Sequence, residues 1–418
     1  MKHVHPCRIP VAPLLAALFV TGCGGDLKEP SDATVKALAV PAAVGSRSPN
    51  LASGPDGRLL LSWIEPAGDE HALVYAALSD GQWSTPREVA RGDNWFVNWA
   101  DFPSVVPLSS DLLAAHWLVS QPAGGYAYDV FFSMSLDGGG SWSVPMRPHR
   151  DGTATEHGFV TIYPHADGAG LVWLDGRKMA QESSPGEALN GMTLRGAVIG
   201  PDLKLQQEQE IDGLTCDCCQ TDVLNTSSGA IAVYRDRSPL ELRDIYITRA
   251  AAGGWQPGRP IAHDQWNIAA CPVNGPTISA NGDQLAVAWF TAANDKPIVR
   301  LARSTDAGEF FSAPIDIATG QVFGRVGIAM LPDGAVAVSW LSKTDEQKGV
   351  IRIVQISADG SIGMPLSVGQ EGKSISGFTV PQLALADEQL IMAWTTDQDG
   401  ERQVQSALIP PAALQAAP

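Results

Sequence analysis

The chain has 418 residues, with 45 Asp and Glu against 28 Lys and Arg, and a formal net charge of −17 at pH 7. This excess of negative charge argues against nucleic acid and against an anionic membrane surface as partners. Beyond the first residues, no run approaches the roughly 18 apolar residues of a membrane-spanning helix, so none is predicted in the mature protein.

The first residues have the order of charge and hydrophobicity that is typical of a targeting segment. Lys2 and Arg8 give a positive start, and the apolar run 9–20 is too short to span a bilayer. The run ends at Val20-Thr-Gly-Cys23, which resembles the lipobox of bacterial lipoproteins. The resemblance implies that residues 1–22 are removed and that Cys23 carries lipid. An ordinary signal peptide followed by a chance cysteine is the alternative.

A lipid on Cys23 implies a protein of the bacterial cell envelope, attached to the bilayer through residues 23–36 as anchor and flexible tether. Gly24 follows the cysteine, which favours the outer membrane, facing either the periplasm or the cell surface. We expect a single domain over residues 37–410, a short tail over 411–418, and a monomer.

Short β-rich runs that end in an aromatic residue recur seven times along the chain. The aromatic residues are Trp63, Trp117, Trp173, Tyr234, Trp289, Trp340 and Trp394. Turns rich in Gly, Asp and Asn precede each run and predict a hairpin, and two more strands follow in each unit. Four strands in every fifty-odd residues predict an all-β fold, a β-propeller.

Seven repeats predict seven blades, with six blades and an irregular segment as the alternative. The seventh unit has no fourth strand before the chain ends. The run 35–40 could supply that strand from the N-terminal side and close the ring, which would remove an exposed sheet edge.

The second turn of two units carries a motif of Ser, Asp, Gly and an aromatic residue. It is formed by Ser135, Asp137, Gly139 and Trp142, and again by Ser304, Asp306, Gly308 and Phe311. Asp can accept N–H bonds across such a turn, while Gly adopts positive φ. The pattern is similar to the Asp box, or BNR repeat, of sialidase-like propellers. In that family the boxes are structural and lie away from the ligand.

Three tryptophans are not explained by the repeat: Trp95, Trp99 and Trp266. All three stand in loops that link one unit to the next, and such loops border the ligand face of a propeller. We therefore predict a ligand site there, with packing between blades as the alternative.

Polar residues of the same loops and of the loops after the second strands complete the predicted site. They are Asp101, His157, Arg177, Arg235, Arg237, Asn274 and Arg325. Their charges favour a glycan, a small anion or a protein as ligand. Mutual Arg–Asp pairing that only ties the loops together is the alternative.

Four cysteines remain in the mature chain, and an even number in an oxidising compartment favours disulfides. Cys216, Cys218 and Cys219 precede the fourth unit, and Cys271 precedes the fifth. We predict one bond between these two loops and a second, local one, such as a bond between the neighbours Cys218 and Cys219. The alternative is a copper or zinc site formed by the four thiolates; otherwise no cofactor is expected.

The resemblance to sialidases also implies a test for enzyme activity. That family uses three arginines, a tyrosine nucleophile assisted by a glutamate, and an aspartate; here Arg47, Arg235, Arg325 and Asp101 would be the candidates. No tyrosine occurs in the last three units, where the family has its nucleophile. We therefore favour a binding protein without sialidase turnover, with an exo-α-sialidase or related glycoside hydrolase as the alternative.

Overall fold

The computed structural model of the protein describes residues 34–166, 168–181, 190–344, 349–369, 375, 377–398 and 400–415. The targeting segment, Cys23 and most of the predicted tether lie outside these residues. Within them, every strand belongs to one of seven antiparallel sheets, and we number these sheets as blades 1 to 7 in chain order. The described part of the chain contains no helix that is long and apolar enough to cross a membrane.

Each blade begins at the centre of the ring and proceeds outward. The innermost strands are Arg47–Ser53, Ser104–Pro107, His157–His165, Asp222–Thr226, Thr277–Asn281, Val322–Met330 and Gln382–Ala386. The second strands are Leu59–Ala67, Leu113–Ser120, Gly168–Asp175, Gly229–Arg235, Gln284–Thr291, Val336–Lys343 and Gln389–Gln398. The third strands are Glu70–Ser79, Tyr128–Ser135, Thr193–Ile199, Ile245–Ala251, Ile298–Ser304, Gly349–Ile356 and Glu401–Ile409.

The outer strands are shorter and less regular. They are Gln82–Trp83 with Arg87–Gly92 in blade 1, Leu205–Asp212 in blade 3, Gly254–Trp255 with Arg259–Pro260 in blade 4, Ile315–Thr319 in blade 5, Leu366–Val368 in blade 6 and Lys36–Leu38 in blade 7. The three described helices are 3-10 turns: Arg177–Ala180, Ala293–Asp295 and Pro411–Leu414. Blade 2 has three strands, and in place of a fourth strand Met146 forms a single bridge to Phe132.

The seven repeated aromatic residues all lie in second strands, and none is more than 3% exposed. Apolar side chains of neighbouring sheets pack between the blades, where burial of each large side chain contributes about 1.5–3 kcal/mol. Blade 7 packs on blade 1 in the same way, since Trp63 and Ile391 share one buried cluster. The prediction of seven blades is confirmed, and the six-bladed alternative is wrong.

The predicted closure by an N-terminal strand is also confirmed. Lys36–Leu38 pairs antiparallel with the third strand of blade 7, with Leu38 opposite Ser406. The Ser406 hydroxyl donates to the Leu38 carbonyl at 3.1 Å and accepts the indole N–H of Trp83, from blade 1, at 2.8 Å. The strand therefore covers the edge of blade 7 at the point where it meets blade 1.

The two box turns have the same hydrogen bonds. In the first, the Ser135 hydroxyl donates to Asp137 at 2.8 Å and accepts the N–H of Gly139 at 2.7 Å, and Gly139 has a φ of +86°. In the second, Ser304 donates to Asp306 at 2.6 Å and accepts the N–H of Gly308 at 2.9 Å. The aromatic side chains follow: Trp142 contacts Tyr75 edge-on, and Phe311 packs against the core of blades 4 and 5.

Candidate functional site

The seven innermost strands surround a central channel with a volume of about 800 Å³. Because the blades are antiparallel, the loops that link the blades and the loops after the second strands open on one face, and the box turns lie on the other. We call the end of the channel on the linking-loop face the mouth; Trp99, Asp101, Arg325 and Phe378 border it.

Arg325 is held at the mouth by an unusual backbone. Its φ is +55°, and the pairing of its strand shifts register between Gly324 and Gly327, which marks a bulge. The N–H of Arg325 donates to the side-chain oxygen of Asn274 at 2.8 Å. A left-handed residue that is not glycine costs free energy and persists only where the surrounding structure fixes it.

Among the described residues, the guanidinium group of Arg325 has no anionic partner. It lies 4.9 Å from the ring centroid of Trp99, and its Nε has no hydrogen-bond partner in the described part of the chain. Among the described residues, no carboxylate lies within ion-pair distance of it. Burial lowers the pKa of Arg325 to about 10, although the nearby Cys219 opposes the shift. The group therefore remains a partly buried cation at neutral pH, held by the Trp99 ring and by one long hydrogen bond to the Phe323 carbonyl at 3.4 Å.

A small cavity of about 120 Å³ lies on the other side of Trp99, between Arg47, Arg402 and Phe378. The Nε of Arg47 donates to the Gly45 carbonyl at 3.3 Å, and within the described residues Arg47 forms no ion pair. Burial, and then the charge of Arg402, lower the pKa of Arg47. Phe378 contacts Trp99 edge-on at 5.5 Å and is 65% exposed. Trp99 thus has one cation, Arg325, over its ring, an exposed aromatic neighbour, and two more arginines in the wall of the adjoining cavity.

Asp101 lines the channel below Trp99 and shares one hydroxyl group with a second acid. The hydroxyl oxygen of Tyr128 lies 2.7 Å from a carboxyl oxygen of Asp101 and 2.7 Å from one of Glu156. A tyrosine can donate only one proton, so the second contact requires that one of the two acids is protonated. Burial raises the pKa of both Asp101 and Glu156 to about 7. Tyr128 itself is fully buried.

Two predicted ligand residues, His157 and Arg177, are instead part of a buried ion network between blades 2 and 3. His157 is fully buried and lies 3.2 Å from Asp151. Arg177 forms a two-bond pair with Asp175, both bonds at 2.7 Å. A guanidinium or imidazole that is already paired with buried carboxylates stabilises the loops. For these two residues, the alternative stated above, pairing that only ties the loops together, is the better description.

Arg235 and Arg237 are also occupied. Arg235 is 2% exposed and donates to the carbonyls of Asn274, Arg243 and Phe290 at 2.6–2.9 Å. Arg237 is paired with Asp217 at 3.0 Å and with Glu241 at 2.6 Å. Neither is available to form an arginine triad with Arg47 and Arg325.

The three unexplained tryptophans have different surroundings. Trp95 is 8% exposed and stacks on Trp117 at 5.8 Å. Trp266 is 6% exposed and lies under the guanidinium of Arg235 at 4.9 Å. Only Trp99 borders the mouth, so packing between and within blades is the role of the other two.

The two cysteine loops are joined by a bond between Cys218 and Cys271, whose Cα atoms are 6.0 Å apart. The predicted bond between the loops is therefore present. A vicinal Cys218–Cys219 bond is excluded because Cys218 is already used, and Cys216 and Cys219 are buried free thiols with their sulfur atoms 2.8 Å apart.

Sequence reasoning did not identify Phe378, Arg402, Tyr128 and Glu156 as a set. A signal for Phe378 was available, since it stands three residues before Pro381, much as Trp99 stands four before Pro103, and each proline directly precedes an innermost strand. Arg402 lies inside a third strand and Tyr128 begins one, positions at which the repeat pattern predicts only structural roles.

Comparison with known proteins gives the fold. No protein-family model matches the chain, and no curated protein matches its sequence. Among solved structures, an ulvan lyase of polysaccharide lyase family PL25 has a TM-score of 0.52 at 9% identity, over 88% of this chain and 95% of that one. An α-L-arabinofuranosidase of Fusarium graminearum has 0.48 at 13%, over 91% and 98%. NanB sialidase from Streptococcus pneumoniae has 0.47 at 12%, over 88% and 69%. The chain is thus a seven-bladed β-propeller, and what it shares with the ulvan lyase is the fold.

Proposed function

We propose that the protein is an envelope lipoprotein that binds a carboxylate-bearing glycan at the mouth and does not hydrolyse sialosides. The observation that carries this proposal is Arg325, a partly buried cation that lies on Trp99 and has no carboxylate partner among the described residues. A buried charge without a partner is costly, and an anionic ligand would supply the missing partner.

The surroundings of Arg325 favour a sugar as the carrier of that anion. Trp99 and Phe378 present aromatic faces and edges beside the two cations, and sugar rings stack on such groups. Arg47 offers a second cation within the same loop cluster. The ulvan lyase of similar fold is described as bound to an oligosaccharide of glucuronic acid and sulfated rhamnose, which is an anionic glycan of this kind.

Burial of the available tyrosine supports the absence of sialidase turnover. Tyr128 has the glutamate and aspartate neighbours that a tyrosine nucleophile requires, yet it is 0% exposed and stacks under Phe96 at a centroid distance of 4.0 Å. A nucleophile must reach the anomeric carbon, and this hydroxyl is not accessible to a substrate. We expect no release of the fluorophore from a fluorogenic sialoside; release that Arg325→Ala abolishes would contradict the proposal.

The binding experiment uses isothermal titration with oligogalacturonate as the anionic probe and galacto-oligosaccharide as its neutral counterpart. We expect binding of the acidic oligomer only, and a loss of about tenfold or more in affinity for Arg325→Ala, because a charge-assisted contact is removed. Arg352→Ala is the matched control, since Arg352 lies in the third strand of the same blade and bonds to Ser367. Equal binding of the two oligomers, or equal loss in both variants, would refute the proposal.

A further inference from the structure

The loop Thr215–Gln220, which we call the Cys loop, holds two thiols beneath a disulfide. Cys216 and Cys219 are 0% and 2% exposed. The sulfur of Cys218 lies within 4.8 Å of both of their sulfurs, while its bonded partner, Cys271, is exposed to solvent. A buried dithiol is thus within reach of a disulfide whose second cysteine is an exposed residue.

The charges around the pair favour a thiolate. The guanidinium of Arg243 donates to the sulfur of Cys216 at 3.4 Å. Burial alone would raise the pKa of Cys216, but the hydrogen bond with Cys219 and the charges of Arg235 and Arg243 outweigh it and lower the pKa to about 6. Burial and the neighbouring Cys216 raise the pKa of Cys219. One partner is therefore a nucleophile at neutral pH and the other retains its proton.

The same arginines disfavour the copper or zinc site that the sequence left open. Arg235 and Arg243 act on Cys216, and the charge of Arg325 acts on Cys219. Three guanidinium groups around two sulfurs repel a metal cation, and Cys218 is not a thiolate ligand while it is bonded to Cys271.

We propose that Cys216 and Cys219 are a reversible dithiol–disulfide couple that reacts with external thiols and disulfides through the Cys218–Cys271 bond. This goes beyond the proposed glycan binding and does not depend on it. The co-reactant is a small-molecule or protein disulfide in one direction and two thiols in the other.

The internal exchange balances without any other reagent. The Cys216 thiolate attacks the sulfur of Cys218, a Cys216–Cys218 bond forms, and Cys271 leaves as a thiolate at the surface. Cys219 gives its proton to solvent and attacks Cys216, and Cys218 leaves as a thiolate. The result is a Cys216–Cys219 disulfide and two reduced sulfurs at Cys218 and Cys271.

The external step then restores the outer bond. The Cys271 thiolate attacks the external disulfide and releases one thiolate, and Cys218 attacks the resulting mixed disulfide on Cys271 and releases the second. In total, one thiolate and one thiol of the protein are oxidised to a disulfide, one external disulfide is reduced to two thiol groups, and the single proton of Cys219 passes to solvent or to one of the released groups.

Two structural facts favour Cys216 as the internal nucleophile. Attack by Cys219 on Cys218 would form a disulfide between sequence neighbours, which is a strained bond. Attack by Cys216 forms a bond across one intervening residue and begins from the sulfur that Arg243 already stabilises as a thiolate.

The couple also adjoins the mouth. The backbone N–H of Asn274 is directed at the sulfur of Cys219. The side-chain oxygen of Asn274 accepts the N–H of Arg325 at 2.8 Å. The residue that positions Arg325 therefore contacts the couple directly.

The first experiment equilibrates the full chain in glutathione buffers of stepped reduced-to-oxidised ratio, followed by acid quench, alkylation and peptide mass spectrometry. We expect Cys216 and Cys219 to change together from two alkylated thiols to one disulfide and to return when the ratio is reversed. A pair that stays alkylated in excess oxidised glutathione, or stays bonded in excess reduced glutathione, would overturn the proposal.

The second experiment tests the route. In the wild type, the glutathione adduct trapped during oxidation is expected on Cys271, and an adduct on Cys216 or Cys219 would overturn the relay. In Cys218→Ser/Cys271→Ser, the inner pair is expected to oxidise about tenfold or more slowly, because the buried thiolate loses its exposed intermediary. An unchanged rate in a variant with native circular dichroism would contradict the route, and the adduct position in the wild type decides it if the variant does not fold.

Discussion

Two arginines of this protein, Arg235 and Arg325, are the same type of residue in different surroundings. Arg235 is fully surrounded by acceptors, since three backbone carbonyls from three different segments accept its N–H groups. Arg325 lies nearby with an aromatic ring and no carboxylate within the described structure. Their sequence contexts do not distinguish them, because the difference lies in which backbone segments approach each guanidinium. The first stabilises the fold, and the second is available to a ligand.

Replacement of Arg235 by lysine should destabilise the protein strongly. An ammonium group cannot reach the carbonyls of Asn274, Arg243 and Phe290 together, and each buried carbonyl left unpaired costs about 1–3 kcal/mol. We expect the free energy of unfolding to fall by about 3–5 kcal/mol in urea denaturation. Arg237→Lys is the control, because Arg237 forms more exposed ion pairs and should cost about 1 kcal/mol or less. A loss at Arg235 no larger than in the control would contradict this role.

The shared proton at Tyr128 predicts a pH dependence of stability. Burial raises the pKa of Glu156 to about 7 in the folded protein, so the folded state keeps a proton that the unfolded state has already released. Stability therefore falls as the pH rises from the ordinary glutamate pKa to about 7, and the lost stability is not regained above that pH.

Glu156→Gln isolates this contribution, because the amide does not ionise. In urea denaturation, the free energy of unfolding of the variant relative to that of wild type should rise by about 2 kcal/mol between pH 5 and pH 8. Glu208→Gln serves as the control, since Glu208 belongs to ion pairs with Arg177 and Arg195 rather than to the tyrosine contact. A difference between Glu156→Gln and wild type that is the same at both pH values would show that Glu156 does not hold the proton.

The sequence identified only part of the site, for a physical reason. When the aromatic residues that the repeat explains are set aside, Trp95, Trp99 and Trp266 remain. This step shows which loop contains each tryptophan, but it does not show whether the side chain is buried. Trp95 and Trp266 turn into the core beside Trp117 and Arg235, whereas Trp99 remains at the mouth. Which direction each side chain takes depends on the neighbouring blade, and the local pattern does not contain that information.

At the level of elements, most of the fold could be predicted from the sequence because each blade repeats the same local sequence pattern. A hairpin turn, a buried aromatic and a third strand recur with nearly constant spacing. A unit whose own pattern is weak can therefore be recognised from its position between its neighbours. Blade 2 departs from this pattern, since Met146 makes one bridge where a fourth strand was expected. An outer segment that forms only one bridge leaves little periodic pattern in the sequence.

Ring closure by Lys36–Leu38 leads to a prediction at this level. Deletion of these three residues would expose the edge of the third strand of blade 7 and remove the carbonyl acceptor of Ser406. We expect a lower melting temperature and concentration-dependent aggregation in light scattering, because an unpaired edge binds other chains. A deletion of the same length at residues 26–28 is the control. Equal behaviour of the two deletions would show that the N-terminal strand does not close the ring.

At the level of the whole molecule, the cationic mouth stands out from an acidic protein. A net charge of −17 repels anionic polymers at long range, so binding of an anionic glycan must depend on short-range contacts inside the mouth. In our proposal Arg47 and Arg325 provide such contacts, because their charges are partly sheltered from bulk water. Fold alone does not assign the ligand, since propellers of this kind support several chemistries.

The predicted lipid anchor would determine where such a mouth operates. Cys23 precedes the described residues, and twelve residues, 24–35, separate it from Lys36–Leu38, the first strand along the chain. An acyl chain contributes about 0.8 kcal/mol for each buried CH₂, so more than one chain holds a protein stably at a bilayer.

In detergent phase separation we expect the wild type in the detergent phase and Cys23→Ser in the aqueous phase. Cys7→Ser is the control, because residue 7 lies in the part that cleavage removes. Detergent partitioning of Cys23→Ser equal to that of wild type would refute the anchor, while retention of oligogalacturonate binding by the released protein would separate anchoring from binding.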